Sequence, residues 1–376
     1  MRISPRVLYI SSLLFVPFIG IMASRVAFPL YVLELGGSAL DAGLISAVNH
    51  MPTLASYNVG VIQARFGYRR VMALGAIAGG LSMLLPWFFP GIGMLYLAAL
   101  LSGTWTLCVL PPTQSLVGML SEPTDVARNF SLYNILAWLT GFLGPLLAGY
   151  GIEGAGYAGA FLLFGIAALA TLCLLGLWKR FVPELPRTEG PRPGLRATLA
   201  VPRMLGVLLA TGVLQVGLDM YGFFLPIYGH GLGFSPSEIG ILVSVASVSA
   251  IGVCFVLPRL VARYGEARLL AASLLLTGAS FALLPAFQGF WTILAVSVLY
   301  GLGIGGGQPL TTMLTFRRAQ KGAEGAAMGL RLLASSLTKV AAPALLGPAA
   351  SALGIAPVLL GIGALMAALG WRWKSG

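Results

Sequence analysis

Long apolar runs, each closed by charges, glycine or proline, follow one another along the whole chain with short polar gaps between them. Runs of about 20 residues match the thickness of a bilayer crossed as a helix. They fall at 8–33, 41–64, 69–89, 92–119, 126–150 and 156–178, then at 204–229, 237–262, 267–287, 290–316, 324–350 and 354–373, numbered here as spans 1 to 12. A segment rich in Pro and Arg, 179–203, divides a first group of six, 1–178, from a second, 204–376. The pattern predicts an all-α membrane protein of 12 transmembrane helices, because only closed backbone hydrogen bonding survives in lipid.

Composition agrees: 58% of residues are hydrophobic and 9% charged, against about 25% charged in soluble domains, which excludes a soluble fold. The net charge of +12 would suit nucleic acid, yet the basic residues sit in short connections with no extended polar face, so no nucleic-acid partner is expected. Topology accounts for the charge. Connections on the side of the N-terminus carry Arg65, Arg69, Arg70, Arg128, Lys179, Arg180, Arg263, Arg268, Arg317 and Arg318, whereas the opposite ones carry Glu34, Asp41, Glu153 and Glu238 and no Lys or Arg. This asymmetry places both termini in the cytoplasm. The run after Arg2 and Arg6 continues past Arg25 to Leu33, so it reads as span 1 rather than a cleaved signal. Preference for Arg over Lys and the lack of a targeting segment suggest a bacterial inner membrane. Cys108, Cys173 and Cys254 lie inside apolar runs without ligand spacing, so neither a disulfide nor a metal is expected.

Sliding the chain by about 197 residues aligns Pro29, Tyr31, Leu35, Gly36, Ser38, Asp41 and Gly43 with Pro226, Tyr228, Leu232, Gly233, Ser235, Glu238 and Gly240. At about 198, Arg65-Phe66-Gly67 falls on Arg263-Tyr264-Gly265, Pro111 on Pro309, Thr113 on Thr311 and Pro145 on Pro343. Two pseudo-symmetric six-helix bundles follow, and parallel repeats of this kind mark transporters whose halves rock about a shared site. With the turn Gly60-Val-Ile-Gln-Ala-Arg65-Phe-Gly67-Tyr-Arg69-Arg70, the chain resembles the major facilitator superfamily over nearly its full length. The resemblance implies that fold, and spans 3, 6, 9 and 12 facing lipid. In span 5, Thr140-Gly141-Phe-Leu-Gly144-Pro145-Leu-Leu-Ala148-Gly149 partially resembles the family's Gly-Pro motif of exporting antiporters. Gly144 and Pro145 suit either a flexing point or ordinary close packing.

The family's acidic residue before the turn Arg is Ala64 here, and Ala262 in the second copy. Arg65 and Arg69 then either latch the basic side, through Glu122, Asp125 or helix-end carbonyls, or act only as topogenic charge.

Candidate pathway residues come from what lipid penalises. Arg25 in span 1, Asp219 in span 7 and Lys339 in span 11 lie near mid-membrane, and Arg331 about two turns into span 11. Each such charge costs about 2.5–3.5 kcal/mol on insertion scales, so a function or a partner is required. Thr211, Gln215 and Asp219 recur every four residues, as do Arg331, Ser335 and Lys339, making two polar stripes. Tyr133, Asn134 and Trp138 in span 5, Gln114 and Gln308 in spans 4 and 10, and Asn49 in span 2 complete the set. A carboxylate in low dielectric holds a proton more tightly, while a nearby cation opposes that, so Asp219 is read either as the proton carrier or as half of a permanent ion pair. His50 and His230 are ranked as packing and solvated residues. The run Gly301–Gly307 lacks a preceding strand, so it reads as a helix contact and not a phosphate loop. Asn129 fits a glycosylation pattern on the wrong side of the membrane.

No nucleophile with its base, metal cluster or phosphate loop appears, so no catalytic residues, no cofactor and no enzyme are expected. The expectation is a monomeric secondary transporter of a small organic compound, anionic whole or in part given three candidate cations against one candidate anion, with protons as partner and lipid around it. Proton-coupled export stands first, import of an organic anion second, and a transport-inactive sensor third.

Overall fold

The computed structural model describes residues 5–121, 126–182, 204–318 and 324–374. Every predicted span falls on helix. Span 1 is Pro5–Glu34, span 3 Tyr68–Phe88 and span 4 Ile92–Met119. Spans 5 and 6 form Val126–Gly176, broken at Gly156, whose φ of 68° and ψ of 175° are not helical. Spans 7 and 8 are Met204–Gly231 and Pro236–Tyr264, spans 9 and 10 Glu266–Leu283 and Phe290–Arg318, and spans 11 and 12 Glu324–Leu353 and Ile355–Lys374. Large apolar side chains such as Phe255, Trp291 and Leu345 stand more than 60% exposed on these helices, an arrangement suited to lipid and not to water. The expected linker lies outside the described residues beyond Val182.

Span 2 departs from its counterpart. It runs Ala39–His50 as α-helix, Met51–Asn58 as 3-10 helix and Val59–Phe66 as α-helix, whereas span 8 is continuous. Pro52 is the cause: it has no N–H to give and its ring collides with the carbonyl one turn back. The Thr53 hydroxyl donates to the His50 carbonyl, and the Asn49 carbonyl meets Gly103 of span 4 so closely that no side chain fits there.

The chain divides into two compact units, 1–37 with 48–190, and 38–47 with 191–376. In the first, Gly79 of span 3 lies under Trp105 of span 4. The second exchanges the partners: Thr277 of span 9 lies over Gly303 of span 10. Gly165 abuts Leu84 across spans 6 and 3, and Gly278 abuts Gly363 across spans 9 and 12. Small residues thus set helix approach in both, as expected where lipid supplies no hydrophobic drive between helices. In the second unit Gly43 and Gly347 cross backbone to backbone, a methyl on either reaching 2.8 Å from the other's Cα.

The repeat extends to hydrogen bonds. Ser38 N donates to Asp41 Oδ2 and Ser235 N to Glu238 Oε2, each at 2.8 Å, and each serine hydroxyl accepts the return bond at 3.3 Å. These are capping boxes that start spans 2 and 8. Gly67 and Gly265, both at φ 79°, turn the chain between spans 2 and 3 and between spans 8 and 9, a conformation that penalises any Cβ. The preceding Arg65 and Arg263 fold back over the rings of Phe66 and Tyr264 at 5.4 and 5.3 Å.

Candidate functional site

Span 7 carries the polar stripe the spacing predicts, and its members touch. Gln215 Nε2 donates to Asp219 Oδ2 at 2.8 Å, and Gln308 Nε2 of span 10 reaches Gln215 Oε1 at 3.5 Å. Gln215 and Asp219 are buried, so the chain Gln308, Gln215, Asp219 places donors behind a carboxylate in a low-dielectric setting. Thr211 lies one turn earlier, its hydroxyl turned back to the Val207 carbonyl.

The glycine run makes this contact possible. A methyl on Gly307 would stand 2.8 Å from Leu214 of span 7, one on Gly305 2.5 Å from Ala250 of span 8, and one on Gly306 3.0 Å from Ser273 of span 9. Span 10 therefore packs on three neighbours at once, which brings Gln308 within reach of span 7. Farther along, Tyr221 donates to Ser297 Oγ at 2.6 Å, Tyr300 to the Gly217 carbonyl at 3.2 Å, and the two rings stack at 3.7 Å. These rivets fix the rotation of span 7 about its axis, and with it the direction of Asp219. Sequence reading missed them, although two tyrosines inside apolar runs were a usable signal.

On span 11, Ser335 is buried and Lys339 and Arg331 are half-buried. Nε and Nη1 of Arg331 are buried with no hydrogen-bond partner among the described residues. A methyl on Gly212 of span 7 would stand 3.1 Å from Thr338, so the Asp219 and Lys339 helices are direct neighbours.

The remaining candidates lie in the first unit. Arg25 is half-buried on span 1, one turn from Met22 and Ala23, whose backbone rests against Gly144. Gly144 thus lets spans 1 and 5 approach closely, and Pro145 beside it is buried. Tyr133 is fully buried, its hydroxyl paired with Thr113 Oγ1 at 3.0 Å and with Gln114. Trp138 is half-buried, and the side chain of Asn134 lies outside the described residues. Asn49 closes the α-helical part of span 2, and Gly60 lies in its last segment.

At the Arg-rich end, Arg69 Nε donates to the Leu175 carbonyl at 3.2 Å, a helix-end carbonyl of span 6. Glu122 and Asp125 lie outside the described residues. The second unit does the corresponding work with charge: Arg317 Nη1 stands 3.0 Å from Glu266 Oε1, where the first has Tyr68 bonded to Met119 Sδ at 3.6 Å. Asn129 is buried and donates to Ser121 Oγ.

Residues 10–343 match the model of the Major Facilitator Superfamily. Quinolone resistance protein NorA of Staphylococcus aureus (strain MSSA476) is 22% identical over 360 residues, 94% of this chain and 92% of its own. Multidrug resistance protein 2 of Bacillus subtilis (strain 168) is 23% identical over 363 residues, covering 89% and 86%. Among solved structures, the peptide transporter POT in complex with sulfate superposes with a TM-score of 0.83 at 15% identity, covering 99% of this chain and 94% of that one. The nucleoside transporter NupG gives 0.75 at 14% identity, covering 99% and 98%. These likenesses establish a shared fold.

Proposed function

Since the chain belongs to the Major Facilitator Superfamily, and is thereby a multi-pass membrane transporter and not an enzyme, we propose that it exports a small organic compound in exchange for protons. Asp219 is the proton carrier of this reading. The observation that carries it is the buried carboxylate at the end of the Gln308, Gln215, Asp219 chain. Such a group serves two protonation states: ionised, it accepts from Gln215, and protonated, it has a hydroxyl to offer. Coupling then follows when substrate binding and proton binding favour different states of one site.

Export is supported by the resistance proteins among the relatives and by the partial Gly-Pro motif of span 5. The reading places both termini in the cytoplasm of a bacterial inner-membrane monomer that works by alternating access.

Vesicles of both orientations decide the direction. With a fluorescent quinolone as probe, inside-out vesicles with an acidic lumen accumulate it and lose it when an ionophore collapses the gradient. Accumulation in right-side-out vesicles with acid outside would contradict export.

A further inference from the structure

The offset that pairs Thr113 with Thr311 and Pro145 with Pro343 also pairs Tyr133 with Arg331. In the first half this position is closed by a neutral group: Tyr133 is 1% exposed and its hydroxyl is matched by Thr113. The scaffold therefore needs no charge there. The second half nevertheless puts a guanidinium in its place, with Nε and Nη1 buried and unmatched among the described residues. Its neighbours in sequence, Leu330 and Ala334, pack on Met204 and Leu208 of span 7, so that flank of the helix offers apolar surface. Ser335, one turn on, extends the polar face toward Lys339. Buried N–H groups left without acceptors in a bilayer-spanning helix oppose folding, and a neutral residue would remove that penalty.

We propose that Arg331 is the docking residue for an oxyanion, a carboxylate, sulfonate or phosphate group, that supplies the missing acceptors. A planar guanidinium presents its donors as a fork that matches such groups, which a lysine does not. This rests on the transporter reading and names the class of compound for it: a molecule with one acidic head. The same chemistry has a second source, the phosphate of an anionic phospholipid, because Arg331 lies only about two turns from the start of span 11.

The test uses the full chain in neutral detergent and in nanodiscs, read as the unfolding midpoint. Sodium benzoate is compared with benzamide at equal ionic strength, and phosphatidylcholine discs with discs containing one part in five phosphatidylglycerol. The variants are Arg331→Met and Arg331→Lys. A ligand that binds only the folded state raises the midpoint. Wild type is expected to rise by several degrees with benzoate and not with benzamide, Arg331→Lys to keep part of the rise, and Arg331→Met none. Without ligand, Arg331→Met is expected to unfold no lower than wild type, since methionine keeps the apolar stem and drops the unmatched charge. A rise with phosphatidylglycerol alone, lost in Arg331→Met, assigns the oxyanion to lipid. The proposal is overturned if Arg331→Met responds to both probes as wild type does, if wild type responds to neither, or if Arg331→Met lowers the ligand-free midpoint. No flux or gradient enters this readout, so its failure removes the docking residue and leaves proton-coupled export standing, while failure of the vesicle assay leaves the docking result intact.

Discussion

Phe18 stacks on Trp105 in the first half, ring centroids 5.6 Å apart, and the residue the repeat sets opposite Phe18 is Gln215, which holds Asp219. The displacement of 197 also sets Met22 against Asp219, and that of 198 sets Leu110 against Gln308 and Gly141 against Lys339. Apart from the break in span 2, helix order, capping boxes and turn glycines are shared, so the differences are not demanded by the fold. Apolar residues satisfy these positions in one bundle. In the other they are given to groups that lipid penalises, which is what the proposed export role asks of spans 7, 10 and 11. In the first half Gln114 is bonded to the Tyr133 hydroxyl and Arg25 is half-buried on span 1.

The comparison can be broken at its packing first. Gly307→Val puts carbon where Leu214 already lies, so span 10 must shift away from span 7. Overpacking costs about 1–3 kcal/mol, and separating Gln308 from Gln215 is expected to take the proposed proton-coupled flux of the vesicle probe down by more than tenfold, with a lowered unfolding midpoint. Gln215→Leu tests the chain itself. A hydrogen bond to a charged group is worth about 1.5–3 kcal/mol, so coupled flux should fall roughly ten- to hundredfold while expression and fold persist. Phe18→Leu at the matching place should lower the midpoint and leave coupling ratios unchanged. Equal loss of coupling in both would erase the distinction between the halves.

A smaller effect is expected at the Arg-rich ends. Glu266→Gln removes the ion pair with Arg317, whose side chain is 67% exposed, so the expected loss is within about 1 kcal/mol and shrinks with added salt. Tyr68→Phe at the equivalent position should cost less, and no salt dependence should appear there.

Much of the fold was legible because lipid imposes a coarse rule: apolar runs, basic and acidic connections and the 197-residue echo fix spans and repeat without any contact being known. The stripe of Gln215 and Asp219 was legible too, since one helix positions both. What it touches was not. Gln308 was read as a substrate ligand, and its contact with Gln215 depends on span 10 closing on three neighbours at Gly305, Gly306 and Gly307. The break in span 2 had its signal in Pro52, a proline at the centre of an apolar run. The pairing of Glu266 with Arg317 joins residues 51 apart, beyond any local pattern.

Proton release on substrate binding tests the central claim most directly. The full chain in weakly buffered detergent, mixed with a quinolone beside a pH-sensitive dye, should release protons in wild type and none in Asp219→Asn, with both proteins binding the compound. Release from Asp219→Asn equal to wild type would contradict the assignment of the carrier to the second bundle.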